Sequence, residues 1–208
     1  PEGFGYLGIR TGTVAGIPAR LMRIGFGGEL GYEIHVPASR GAELWDKVAQ
    51  AGAGHGIRPV GIEAQRVLRL EKGHIIVGQD TDGLTHPAEA AMGWAVGRKK
   101  VDFLGKAAMD ALEAKGLTRK LVGFELDAAA GVVPKENHLV IRDGDIVGRV
   151  TSITRSPTLG KVIGLAYVAP DQAETGTAFT IRADKGQMVT ATVVPLPFYD
   201  PENARQEM

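Results

Sequence analysis

Glu33 and His35 stand two residues apart in Gly31-Tyr32-Glu33-Ile34-His35-Val36, where polar and apolar residues alternate. A period of two predicts a strand with Ile34 and Val36 on its apolar face and Glu33 on the polar face beside His35. An ionised carboxylate accepts hydrogen bonds and donates none, so Glu33 suits a ligand edge that carries paired N–H groups. A solvated strand glutamate fits the same residue type. The other histidines, His55, His74, His86 and His138, show no metal-ligand spacing and no serine or cysteine partner in a nucleophile elbow. They read as structural.

Two neighbouring motifs invite other chemistry and fail on spacing. Gly25-Phe26-Gly27-Gly28-Glu29-Leu30-Gly31 lacks the dinucleotide pattern, because Leu30 breaks it and a strand, not a helix, follows. Those glycines serve a tight turn and close backbone packing. Asp80 and Asp82, in Gln79-Asp80-Thr81-Asp82-Gly83, suggest a calcium loop, yet the position that needs a glutamate is Ala91. They read as turn and capping residues ahead of a helix at Pro87, and no metal site is expected. Glu63, Arg66, Arg69 and Glu71 lie at helical spacings that allow intrahelical ion pairs, each worth a few tenths of a kcal/mol.

The elements that must carry these residues follow from periodicity. Residues 18–36 read as two strands around the glycine-rich connection. Ser39 is placed to cap a helix to about Gln50, with Leu44, Trp45 and Val48 at helical spacing and Gly52, Gly54 and Gly56 to stop it. A second helix follows Pro59, with Val60, Ala64, Val67 and Leu68 on one side, and ends at Lys72-Gly73. A third runs from about Gly105 to Ala114, carrying Ala108, Met109 and Leu112, with Gly116 closing it. Trp94 reads as a core anchor. From Leu121 onward, short β-rich runs at 121–126, 139–142, 146–153, 162–168, 178–181 and 188–194 alternate with turn signals such as Asp143-Gly144 and Lys185-Gly186. Strands at that spacing suggest a small barrel or sandwich. The expected fold class is α+β, with a domain boundary in 115–119.

Composition narrows the field. The 208 residues are 44% hydrophobic and 23% charged, as in ordinary globular proteins. Lys plus Arg balances Asp plus Glu at 24 each, so no net field draws the chain to nucleic acid or an anionic membrane. The absence of cysteine excludes disulfides, thiolate metal sites and a cysteine nucleophile. No apolar run approaches the ~20 residues that a membrane span needs. Cysteine usage leaves the compartment open, and the cytoplasm is the expected setting. The chain begins at Pro1 without an initiator methionine, and the expectation is a fragment or processed piece.

Taken in order, several motifs resemble one family, the glycine-cleavage T proteins (aminomethyltransferases). They are Gly27-Gly28-Glu29-Leu30-Gly31-Tyr32-Glu33, Gln79-Asp80-Thr81-Asp82-Gly83, Asp102-Phe103-Leu104-Gly105-Lys106 and Ser156-Pro157-Thr158-Leu159-Gly160-Lys161. The wording Glu71-Lys72-Gly73-His74-Ile75-Ile76-Val77-Gly78-Gln79-Asp80 and the tail Pro197-Phe198-Tyr199-Asp200-Pro201-Glu202-Asn203 look most like the folate-binding end of a sarcosine oxidase alpha subunit. The resemblance implies the remainder of a mixed α/β folate-binding domain at 1–116, then a C-terminal β-barrel at 117–208. It implies transfer of a one-carbon unit from a methylamine-derived donor to tetrahydrofolate, giving 5,10-methylenetetrahydrofolate. Glu33 would orient the pterin, Gln65 would line the pocket, and Tyr199 or Arg205 would close it.

Gln65 departs from the family pattern, which puts an arginine directly after the alanine that is Ala64 here. An amide cannot clamp a carboxylate bidentately as arginine does. The resemblance also places the family's catalytic acid upstream, so no catalytic residue and no turnover by the isolated chain are expected. FAD is expected only on missing or partner regions. Partners would be folate, a small methylamine-derived substrate, and other oxidase subunits or the missing N-terminal half. The alternative is a non-catalytic folate-binding or assembly module of a larger oxidase. The Ser156–Lys161 hairpin is read as structural.

Overall fold

The computed structural model of the protein describes residues 3–127 and 130–208. Their contacts divide into two compact units, one of residues up to Arg69 together with Asp200–Met208, the other Leu70–Tyr199. Each is described in turn. The boundary expected within 115–119 is a division of the sequence and lies inside the second unit.

The first unit opens with a hairpin of β1 (Ile9–Val14) and β2 (Ile17–Met22), joined by Ala15 and Gly16 at φ 50° and 78°. Two positive φ values make the tight turn that matches strand twist. β3 (Glu33–His35) pairs antiparallel with β2, giving the sheet order β1-β2-β3. β1 was not expected from the sequence, because Ile-Arg-Thr-Gly-Thr-Val is almost wholly exposed and carries no clean alternation. α1 (Gly41–Gly52) is entered through a 3₁₀ turn over Ala38–Arg40 that takes up Ser39, so the expected serine cap is not made. Arg40 instead bonds Glu43 at 2.6 and 2.9 Å. Leu44 is buried, but Trp45, expected beside it on the apolar face, is 64% exposed. Gly56, left-handed at φ 73°, ends the following 3₁₀ turn.

α2 (Ile62–Glu71) forms where expected, although Val60 lies ahead of it in solvent. Arg66 approaches Glu63 at 3.7 Å, a weak exposed pair. No helix forms at Pro87. Residues 86–92 make successive turns, and Ala91 at φ 58° breaks any continuation. Trp94, expected in a core, is 80% exposed. α3 (Lys106–Lys115) lies between Gly105 and Gly116, both at positive φ, and buries Met109 while Leu112 faces solvent.

Six antiparallel strands then close a barrel. They are β4 (Lys120–Leu126), β5 (Leu139–Arg142), β6 (Asp145–Arg155), β7 (Val162–Val168), β8 (Ala178–Arg182) and β9 (Met188–Val194), in the order β4-β7-β6-β5-β8-β9. Closure removes the unpaired edges that an open sheet would present. Alternation puts Val189, Ala191 and Val193 of β9 inside, and Phe179 and Ile181 of β8 with them. β7 is buried along its whole length. Its inward residues Val162, Ala166 and Val168 join the barrel core, while Ile163, Leu165 and Tyr167 face outward under Leu70, Ile75 and Phe198. Gly164 of β7 leaves room for Phe124, since a Cβ there would lie 2.4 Å from the ring; that ring stacks edge-on against Phe179 at 5.6 Å. Asp143 and Gly144 form the β5–β6 turn, both at positive φ, as the sequence predicts.

Candidate functional site

Glu33 begins β3, opposite Met22, and His35 lies opposite Arg20. Strand alternation puts Glu33 and His35 on one face, with Ile34 half-buried on the other. Both polar side chains are about half exposed, at 49% and 53%, and His35 Nε2 lies 2.9 Å from Glu33 Oε2. A carboxylate can only accept, so the imidazole donates, which gives Nε2 the proton. The pair holds the carboxylate in one direction while leaving it open to solvent. That is a suitable posture for receiving N–H donors from a ligand.

The other candidate residues are distributed unevenly. Gln65 lies on α2 with its side chain exposed, in the same compact unit as Glu33. Arg205 is in that unit too, on the short helix α4 (Ala204–Glu207). Its Nε donates to both carboxylate oxygens of Glu29, at 2.7 and 2.8 Å. Tyr199 falls in the Leu70–Tyr199 unit, where its backbone N–H donates to the Glu71 carbonyl at 2.9 Å. Gln206, unremarked in the sequence, is 2% exposed, and its Nε2 donates to the Gly25 carbonyl at 2.5 Å. No local pattern marks Glu29 and Gln206, because their partners lie 176 and 181 positions away in the chain.

A second polar cluster sits wholly within the Leu70–Tyr199 unit. The Glu71 carboxylate, 3% exposed, accepts from Ser156 Oγ at 2.5 Å and Thr158 Oγ1 at 3.0 Å. It therefore does not join the ion pairing that its helical spacing suggests. Asp80 is fully buried, accepting from Ser152 Oγ at 2.6 Å and the Ile76 N–H at 2.8 Å. Asp80 is a turn residue, as the sequence predicts, and its buried carboxylate also ties the 76–80 turn to β6. Asp82 does behave as a turn residue, accepting from Leu84 N–H and Thr85 Oγ1. Those bonds hold its carboxyl below the usual range, the Thr85 hydroxyl first. Burial pushes the Tyr167 phenol up, and its OH donates to the Asp80 carbonyl at 2.9 Å. The Glu71 and Asp80 carboxylates are bonded by the fold around them, so this cluster is structural.

Among the described residues, no three of His, Cys, Asp or Glu gather as a metal ion would require. No described helix is long and apolar enough to cross a membrane.

Two family models match the chain in tandem: the GCVT N-terminal domain over residues 1–100 and the glycine cleavage T-protein C-terminal barrel domain over 119–200. The chain belongs to the glycine-cleavage T-protein family. Among its T-protein relatives, the aminomethyltransferase of Halothermothrix orenii is 41% identical over 188 residues, covering 90% of this chain and 52% of that protein. The sarcosine oxidase alpha subunit of Corynebacterium sp. is 36% identical over 215 residues, covering 99% of this chain and 22% of that one. The chain spans about half the length of the aminomethyltransferases it matches and about a fifth of the sarcosine oxidase alpha subunit. In fold, the crystal structure of aminomethyltransferase T from Bartonella henselae aligns with a TM-score of 0.77 at 28% identity, covering 86% of this chain and 49% of that one. The T-protein fold, mixed helices and strands followed by a closed barrel, is the α+β architecture expected from the sequence.

Proposed function

We propose that this chain binds tetrahydrofolate and supports one-carbon transfer from a methylamine-derived donor, giving 5,10-methylenetetrahydrofolate. One observation carries the reading. Within a T-protein fold, Glu33 follows Gly31-Tyr32 on a strand with its carboxylate solvent-facing and steered by His35 at 2.9 Å. Such an acceptor suits the amino-pyrimidinone edge of a pterin, which offers two adjacent N–H donors. Gln65, exposed on α2, would line the pocket with an uncharged amide. Arg205, in the same compact unit, would help to close it. The protein's part in the reaction is chiefly orientation, setting the folate nitrogen against the electrophilic carbon. FAD, in a protein of the sarcosine oxidase type, would lie on other regions or subunits, and the cytoplasm is the proposed setting.

Calorimetric titration of the purified chain with tetrahydrofolate tests the reading directly. Saturable one-to-one binding supports it; no heat of binding at millimolar folate overturns it. A methylenetetrahydrofolate assay with sarcosine or an aminomethyl donor separates the two forms of the proposal. Binding without turnover favours a folate-binding or assembly module. Sustained turnover assigns the whole reaction to this chain.

A further inference from the structure

The connection from β2 to β3 runs through the 25–31 loop, which contains bends but no helix or strand. It is tightly folded on itself. A Cβ on Gly25 would lie 2.5 Å from the Glu29 carbonyl oxygen, and one on Gly31 would lie 2.9 Å from the Ile24 carbonyl oxygen. Only glycine accepts such close backbone approach. Two residues after Gly31 the chain reaches Glu33, so the pose of the loop's end sets the start of β3.

The C-terminal tail grips this loop at both ends of its fold. Gln206, 2% exposed, donates from Nε2 to the Gly25 carbonyl at 2.5 Å. Arg205 engages the Glu29 carboxylate through Nε at 2.7 and 2.8 Å. The tail is itself prepared for this. Asp200 accepts from the Ala204 and Arg205 N–H groups at 3.0 and 3.2 Å, and Asn203 donates to Glu207 at 2.9 Å. The two grips differ in kind. Arg205 and Glu29 are nearly half exposed, at 48% and 42%, so their attraction is screened and modest. Gln206 is buried, and a buried amide placed against a carbonyl is costly to displace.

We infer that the tail is a latch that positions Glu33: Gln206, supported by Arg205, holds the 25–31 loop in the one pose that delivers Glu33 to its ligand-facing direction. Gln206 is thus a positioning residue, and Arg205 acts through Glu29. The inference rests on the folate reading only in naming what Glu33 receives.

Hydrogen exchange on the intact chain tests the latch without any ligand. Gln206→Met keeps the bulk of the side chain and removes its donor. Amides of residues 25–33 are expected to exchange roughly two- to tenfold faster, the range that one neutral hydrogen bond commands. Barrel amides from β4 to β9 and the barrel's melting temperature are expected to stay unchanged. Arg205→Ala gives a smaller local change, and Arg205→Lys recovers part of it by keeping one contact to Glu29. Unchanged loop exchange in Gln206→Met overturns the latch. Titration with tetrahydrofolate reads the second step. Binding that weakens by a similar factor, with the barrel's melting unmoved, supports positioning of Glu33. Faster exchange with unchanged affinity overturns it. A wild type that binds no tetrahydrofolate overturns the folate reading, and loop exchange alone then decides the latch.

Discussion

The Ser156 hydroxyl donates to the Glu71 carboxylate across 2.5 Å, joining the end of α2 to the β6–β7 hairpin over 85 positions of sequence. Both side chains are buried, and Thr158 supplies a second donor to the same carboxylate. A charged acceptor out of water must be fully bonded to be tolerated. Ser156→Ala is therefore expected to lower stability by roughly 1.5–3 kcal/mol, the range for a hydrogen bond to charge. Glu71→Ala is expected to cost more, since the buried Ser156 hydroxyl and the exposed Thr158 hydroxyl lose their acceptor together. Urea denaturation followed by circular dichroism measures both; a Glu71→Ala variant as stable as wild type would return the contact to a neutral role.

Glu33→Ala is expected to weaken tetrahydrofolate binding about ten- to a hundredfold, because a charged acceptor bonded to ligand N–H groups contributes roughly 1.5–3 kcal/mol. Glu33→Gln weakens it less, keeping one acceptor oxygen. His35→Ala leaves the charge and frees its direction, so the loss is smaller again. Calorimetry on all three variants checks the ranking. Wild-type affinity in Glu33→Ala, with the fold intact by circular dichroism, would leave Glu33 an ordinary surface carboxylate.

Glu43 supplies a pH dependence. Hydrogen bonds from Arg40 and then Lys47 depress its carboxyl to about 2. A carboxyl whose folded pKa lies below its unfolded one contributes stability above the unfolded value, about 4.3, and loses it as pH falls through the folded value. The affected window thus runs from about pH 4.3 down to about 2. Removing Glu43 as Gln is expected to flatten the fall in melting temperature across that window and to change little at pH 7, as the pair is exposed. Equal acid slopes in wild type and Glu43→Gln would count against the assignment.

We propose that the sequence domains 1–116 and 117–208 meet in residues 115–119, where Gly116 ends α3 at φ 83°. Brief trypsin digestion is expected to cut first at Lys115 or Arg119, in the linker between α3 and β4. The products are expected to co-elute on gel filtration, because Asp80, Glu71 and the Glu89 carbonyl bond residues of the barrel half at Ser152, Ser156 and Leu121. Early cleavage elsewhere, or products that separate, would refute this.

Much of the architecture was written in local pattern. Alternating β-branched residues announced all six barrel strands within a few positions, and Asp143-Gly144 announced its turn, because period and turn chemistry act over two to eight neighbours. The polar face of β3 and the glycine-closed ends of α1 and α3 were legible for the same reason. The order and spacing of motifs were enough to indicate the T-protein family. What only the tertiary structure decided is which partners those elements meet. Trp45 and Trp94 have the hydrophobicity of core residues, yet no described element covers them. Conversely, Glu71 and Asp80 are acidic residues and are buried, because the folded chain brings serines to them from 85 and 72 positions away. β1 escaped notice since an exposed strand needs a neighbour's hydrogen bonds, not an apolar face, and Glu29 and Gln206 gained their roles from a tail that returns to the start of the chain. Periodicity records the local surface a residue prefers, whereas closure of long loops determines who shares it.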